Sequence, residues 1–182
     1  VVGVDHAIPF DAVVDGDGIV DRIDGAQFVV DRFVEITHPL DRIFEEGLDN
    51  VIARHNRLAE GVRRGVAAWG MDLVAEHPAL RSDTVSAVRV PEGVDAREVI
   101  RIGYERYNAS FGTGLARLAG KVFRIGHLGD LNEGMVLTAL SLAELSLAEA
   151  GAEVEFGAGL GAAQAWFAES AAAAPQLRIA AE

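Results

Sequence analysis

Leu48, Val51, Ile52, His55, Leu58, Ala59, Val62, Val66 and Trp69 recur at intervals of three and four residues. That period fits one face of an α-helix. Arg54, Arg57, Glu60, Arg63 and Arg64 fall between them, on the face turned to water. Gly70 supplies a C-terminal stop. A long helix with one apolar stripe needs a second layer to cover that stripe. The remaining sequence must supply it.

It does so with alternating short strands and helices. Residues 41–46 form a short helical stretch ended by Gly47. Met71 to Val74 reads as a short strand. Thr84 to Val90 alternates apolar and polar residues and is halted by Pro91, which is a strand signature. Asp95 then caps a helix over Ala96 to Tyr107, with Glu98 as its capping-box partner. That helix turns Val99, Ile100, Gly103, Tyr104 and Tyr107 to one side. A glycine-punctuated stretch, Ser110 to Gly120, runs into a strand over Lys121 to Ile125 that leaves through Gly126 and Gly129. Asn132 caps the next helix, with Glu133 where the helix dipole favours a negative charge. That helix runs through Met135, Val136, Ala139, Leu140, Ala143 and Leu147 to Gly151. An alanine-rich helix over Gly161 to Ala173 is anchored by Trp166 and Phe167. The order predicts an α+β fold, a small and mainly antiparallel sheet with helices packed on one face.

Composition narrows the function classes. The chain has no cysteine, so disulfides, thiolate metal sites and a cysteine nucleophile are excluded. Its net charge is −12. An acidic balance argues against nucleic acid as a partner, because phosphate is met by lysine and arginine. No apolar run reaches the length of a membrane span, and the start lacks the regions of a signal peptide. A cytoplasmic location is the expectation. The charge is unevenly spread. Seven Asp and one Glu against two Arg fall in the first 40 residues. Those residues are rich in Val and read as short strands over 13–20 and 28–36 with Asp-Gly turns. Asp15, Asp17 and Asp21 superficially resemble a calcium loop, but the twelfth position of that loop is Ala26 and not Glu.

The densest polar constellation is Arg117, Lys121, Arg124, His127 and Asp130. Strand alternation puts Val122, Arg124 and Gly126 on one face, and Lys121, Phe123, Ile125 and His127 on the other. Arg124 thus sits among apolar neighbours. A buried guanidinium needs an anion, and its planar fork suits a carboxylate. That anion is either an internal Asp or Glu or the carboxylate of a ligand. Gly126 and Gly129, which admit close backbone approach, favour the ligand. The glycines at 112, 114 and 120 lack the Gly-Lys-Ser/Thr ending of a phosphate loop. No Gly-x-Ser-x-Gly elbow supports a Ser-His-Asp site. His55 reads as a packed helix histidine.

Two segments carry a resemblance. Leu40-Asp41-Arg42-Ile43-Phe44-Glu45-Glu46-Gly47-Leu48-Asp49-Asn50-Val51, with Ala53-Arg54-His55 and Arg57-Leu58-Ala59, resembles the entry to the small domain of class V pyridoxal-phosphate aminotransferases. Leu118-Ala119-Gly120-Lys121-Val122-Phe123-Arg124-Ile125-Gly126-His127-Leu128-Gly129-Asp130 is similar to the serine–glyoxylate and alanine–glyoxylate branch. The resemblance covers Leu40 to Phe167. It implies a C-terminal small domain beside a large cofactor domain, in a homodimer. It also implies that Arg124 binds the carboxylate of the amino or keto acid substrate.

The departures matter as much. The Schiff-base lysine, the aspartate on the pyridinium nitrogen and the ring-stacking residue of the family belong to a large domain expected ahead of residue 1. Residues 1–39 hold no tyrosine, their only threonine is Thr37, and they do not resemble the family. The change of texture near Leu40 reads as a junction, such as a frameshifted or rearranged gene leaves. The chain therefore divides into an acidic β-rich segment over 1–39, a small domain over 40–174 and a tail over 175–182. Lys121 is the only lysine. By resemblance it lies on the substrate-domain strand. Pyridoxal 5'-phosphate is thus expected in the complete enzyme and not on this chain alone, which is expected to be inactive by itself. The competing expectation is a stand-alone interaction module derived from the same domain.

Overall fold

The structure is a computed structural model that describes residues 40–171, together with the backbone of two strands, β1 (Ala12–Val14) and β2 (Val20–Arg22). The chain falls into two units, Val1–Leu48 and Asp49–Glu182. In the first, β1 and β2 pair antiparallel, with Val13 opposite Asp21. Residues 40–46 are helical (α1), and Gly47 closes them at φ 85°, its N–H donating to the Ile43 carbonyl. The strand expected over 28–36 and the turn bearing Asp15 and Asp17 lie outside the described residues.

The second unit is built on α2 (Leu48–Ala68), which Gly70 ends at φ 70°. Its stripe packs as the spacing demands from His55 onward: Leu58, Ala59, Val62 and Val66 are buried. The first turns differ. Leu48 and Ile52 are exposed, while Arg57, expected in solvent, is buried. The cause is tertiary. The Arg57 fork meets the side chain of Glu133, the Ser170 hydroxyl at 2.8 Å and the Phe167 carbonyl at 3.0 Å.

The sheet holds β3 (Val85–Arg89), β4 (Gly112–Thr113) and β5 (Val122–Gly126), all antiparallel, in the order β3-β5-β4. Ala87 and Gly112 flank Arg124, and Val88 and Thr113 flank Phe123. Met71 to Val74 is not a strand. It makes a single bridge, Leu73 to Val88, along the free edge of β3. Only two backbone bonds hold it there, Val74 N–H to Ala87 and Arg89 N–H to Asp72, before Pro78 turns the chain away.

α3 (Ala96–Tyr107) starts where Asp95 accepts from the Arg97 N–H at 2.9 Å. The capping box is not completed, because Glu98 pairs instead with Arg101 at 2.5 Å. Nor does Tyr104 face inward; it is exposed, and Ile102 and Gly103 are buried. Gly103 is what lets the helix sit so close. A Cβ there would lie 2.8 Å from the Phe111 ring. α4 (Glu133–Glu149) starts on Asn132, whose side chain accepts from the Met135 N–H as its sequence predicts. α5 (Ala158–Glu169) begins three residues earlier than expected. Its first N–H groups find their acceptor in Glu144 of α4, a partner that the local sequence does not reveal.

Leu58, Val62 and Val66 of α2, Val99 of α3, Leu140 and Leu147 of α4, and Phe167 of α5 form one core with Val88, Phe123 and Ile125 of the sheet. Phe111 meets Phe123 edge-on at 5.7 Å. The helices thus cover the sheet face bearing Val88, Phe123 and Ile125. The opposite face bears Ala87, Gly112, Val122, Arg124 and Gly126, of which Val122 is buried, Ala87, Gly112 and Arg124 are half-buried and Gly126 is exposed. This is the α+β arrangement that the order of elements predicts.

Candidate functional site

β5 presents its residues alternately. Phe123, Ile125 and the following His127 point into the core, and all three are buried. Arg124 points the other way and is half-buried. Among the described residues it has no ion-pair or hydrogen-bond partner, and its Nε is enclosed without an acceptor. Arg63 also has an enclosed Nε without an acceptor, but it, like Arg57, Arg64, Arg97, Arg101 and Arg106, meets a carboxylate, and Arg124 does not. Enclosing a guanidinium N–H without an acceptor costs about 1–3 kcal/mol. Of the two alternatives the sequence leaves open, an internal acid is not the partner among these residues.

The floor under Arg124 is Gly112, its cross-strand neighbour on β4. A Cβ at residue 112 would lie 3.0 Å from Arg124 Nε and 3.3 Å from its Cζ. The Nε end of the guanidinium therefore lies close against the bare backbone of Gly112. Ala87 on β3 is the neighbour on the other side. The sequence pattern alone gave Gly112 no role. The usable signal is the pairing of a glycine with a strand arginine, and only the register shows it.

The other members of the sequence constellation are not gathered here. Arg117 and Lys121 are exposed, in the turns that precede β5, and Asp130 is exposed beyond it. His127 is wholly buried. Its Nδ1–H donates to the Asp83 carbonyl at 3.0 Å, and its Nε2 accepts from the Ser86 hydroxyl at 3.0 Å. Burial pushes its pKa below the ordinary 6.5. Ser86 is buried too, so this pair has no access to substrate and holds the sheet to the turn before β3.

His55 is a latch and not only a packed residue. Its Nδ1–H donates to Val51 at 2.7 Å, and its Nε2 accepts from the Gly129 N–H at 3.1 Å. Arg54 donates to the Gly129 and Leu131 carbonyls, both at 2.9 Å. Successive residues of α2 thus grip the loop that leaves β5, at a glycine with φ 107°. Arg63, also on α2, holds Asp83 at 2.5 Å with help from Asn56. Burial raises the Asp83 pKa, but the bonds from Arg63 and Asn56 outweigh it and leave the carboxyl below its ordinary 3.8.

The described residues do not fit a resident pyridoxal phosphate. Its chemistry needs a lysine amine held beside the ring. Lys121 is exposed, in the turn before β5. A phosphate needs a concavity of free N–H groups. Gly112 is filled by Arg124, and a Cβ would lie 2.3 Å from the Leu118 carbonyl at Gly114 and 3.2 Å from the Asp95 carboxylate at Gly120. Among the described residues no cluster of His, Asp and Glu forms a metal site. No helix among them is long and apolar enough to cross a membrane.

No family model matches the chain. Individual relatives do. The chain is 54% identical over 132 residues to a serine–glyoxylate aminotransferase of Hyphomicrobium methylovorum, a match covering 72% of this chain and 33% of that protein. It is 51% identical over 134 residues to an L-aspartate–glyoxylate aminotransferase of Paracoccus denitrificans, covering 74% and 34%. The matches fall on the C-terminal part of these proteins. Over the matched stretch the chain is similar to the C-terminal part of class V aminotransferases. The pyridoxamine–pyruvate aminotransferase of Mesorhizobium loti shares the fold, with a TM-score of 0.68 and 33% identity over 72% of this chain and 34% of that one. The chain thus spans about a third of the length of the relatives it matches.

Proposed function

We propose that this chain is the substrate-carboxylate-binding part of a pyridoxal-phosphate-dependent aminotransferase. The complete enzyme would transfer an amino group from serine or alanine to glyoxylate or a similar keto acid. The observation that carries this reading is Arg124, a half-buried strand arginine without an anionic partner among the described residues. The relatives support it, since their names place amino acids and glyoxylate as substrates of proteins that match this chain closely. Arg124 is the substrate-binding residue in this reading. Its terminal N–H groups take the carboxylate as a charge-assisted pair, which fixes the orientation of the acid.

The lysine and the cofactor come from the remaining two-thirds of such an enzyme, and a homodimer in the cytoplasm is its setting. The chain alone is inactive in transamination. Two measurements test the proposal. Glyoxylate titrated into the chain should shift the NMR signals of β4 and β5, and Arg124→Ala should abolish the shifts. Pyridoxal phosphate added to the chain should leave no stable yellow adduct. An adduct that disappears in Lys121→Ala would overturn the assignment of the lysine to the missing part.

A further inference from the structure

Arg124 and Gly112 are directly opposed in the register of β4 and β5. The glycine is not there for its own backbone conformation. It is absent from the positive-φ glycines, whose members are Gly47, Gly70, Gly93, Gly120, Gly129, Gly151 and Gly157. An alanine would therefore be conformationally acceptable at 112. What an alanine would meet is the Arg124 side chain, with a Cβ 3.0 Å from Nε, 3.2 Å from Arg124 Cβ and 3.3 Å from Cζ. Those separations are tighter than ordinary van der Waals contact, and all three belong to the Arg124 side chain, which must yield from its Cβ to its guanidinium. Arg124 Nε is also enclosed and without an acceptor. The inner edge of the guanidinium is thus spent on the sheet.

We propose that Gly112 is a positioning residue for Arg124: it gives the guanidinium a floor, buries the Nε edge and leaves only the two terminal nitrogens to meet a carboxylate end-on. The proposal rests on the reading of Arg124 as the carboxylate site and deepens it. It commits that site to one orientation. A guanidinium can offer a carboxylate its Nε edge or its terminal edge, and the Gly112 floor removes the first option. On its face of the sheet Arg124 has Ala87 across on β3, with Val122 and Gly126 two positions away on either side along β5. A carboxylate met this way pairs with the two terminal nitrogens, and glyoxylate is the probe that tests it.

The test uses arginine side-chain NMR on the 182-residue chain. The Arg124 Nε–H signal is identified by its loss in Arg124→Lys. In the parent chain this proton should exchange slowly with water, and glyoxylate should shift the terminal groups more than Nε–H. Gly112→Ala should speed exchange of Nε–H and weaken glyoxylate binding about tenfold or more, the worth of one charge-assisted hydrogen bond. In the Arg124→Lys background Gly112→Ala should add nothing, since its effect runs through the arginine. The amide signals of Phe123 and Ile125 report that the core remains folded. Unchanged Nε–H exchange in Gly112→Ala, or an equal loss of binding in both backgrounds, would overturn the role of Gly112. A parent chain whose Arg124 does not respond to glyoxylate at all would overturn the carboxylate reading itself, and the exchange result would still decide whether Gly112 seats the arginine.

Discussion

Glu144 accepts the indole N–H of Trp69 at 2.9 Å, and both side chains are buried. The same carboxylate accepts the backbone N–H groups of Gly157 and Gly159, each at 2.8 Å, and of Leu160 at 3.3 Å. α5 starts at a glycine with no side-chain cap of its own, so a residue of α4 supplies the cap and ties in the end of α2. Glu144→Ala leaves these donors enclosed without an acceptor. We expect a loss of about 3 kcal/mol, read as a lowered urea midpoint at unchanged slope.

Gly159 makes that approach possible. A Cβ there would sit 2.3 Å from Trp69 Nε1 and 2.6 Å from its Cε2. Alanine is the better helix former by about 1 kcal/mol. The overlap should outweigh that gain, because the indole is rigid and already bonded. Gly159→Ala is expected to destabilise by about 1–3 kcal/mol. Gly161→Ala, on the same helix with open space beside it, should be neutral or stabilising by comparison. Thermal unfolding of the two variants checks the contrast.

Arg57 joins three helices from a buried position on α2. Its fork reaches Glu133, Ser170 and the Phe167 carbonyl, and its plane lies over the Phe167 ring at 5.2 Å. Arg57→Lys keeps the charge but cannot reach all three acceptors from one ammonium. We expect both Arg57→Lys and Arg57→Ala to lose about 2–4 kcal/mol, with the lysine variant recovering only a minor part. Urea denaturation of the two proteins measures the difference.

His127 gives stability a pH dependence near neutrality. Burial lowers its pKa in the folded chain below 6.5, the value it regains on unfolding. The unfolded chain therefore binds more protons through this range. The stabilising contribution is complete above about pH 7 and declines as pH falls through 6.5. Asp83 and Glu133 belong to a different window. Burial raises each, but Arg63 and Asn56 at Asp83, and the backbone and Arg57 at Glu133, hold both below their ordinary values. Their contribution is present above those ordinary values, 3.8 and 4.5, and fades below them. The urea midpoint should fall between pH 7.5 and 5.5, and His127→Gln should flatten that fall while leaving the steeper loss below about pH 4.

Much of the fold is legible from local pattern. The Asn132 and Asp95 caps bind the N–H groups that their positions predict. Alternation along β5 correctly sends Phe123 and Ile125 inward and Arg124 outward. Local pattern misjudges the positions decided by a distant neighbour. Tyr104 stays in solvent because Phe111 fills the space over Gly103, and Glu98 turns to Arg101 and not back to its own cap. The early start of α5 depends on Glu144, which local spacing cannot connect to it.

The sequence by itself determined the order of helices and strands, the α+β class, and a strand arginine in a segment similar to aminotransferases. Period and capping are properties of adjacent residues, so a single chain displays them. The tertiary structure alone decided that the half-buried Arg124 has no acid beside it among the described residues. Arg57 and Arg63 look more exposed in the helix pattern than Arg124 does in its strand, yet each finds an acid brought to it by the fold. Arg124 finds a glycine instead. Coulombic pairing depends on through-space distance, and cross-strand register, not sequence spacing, sets that distance.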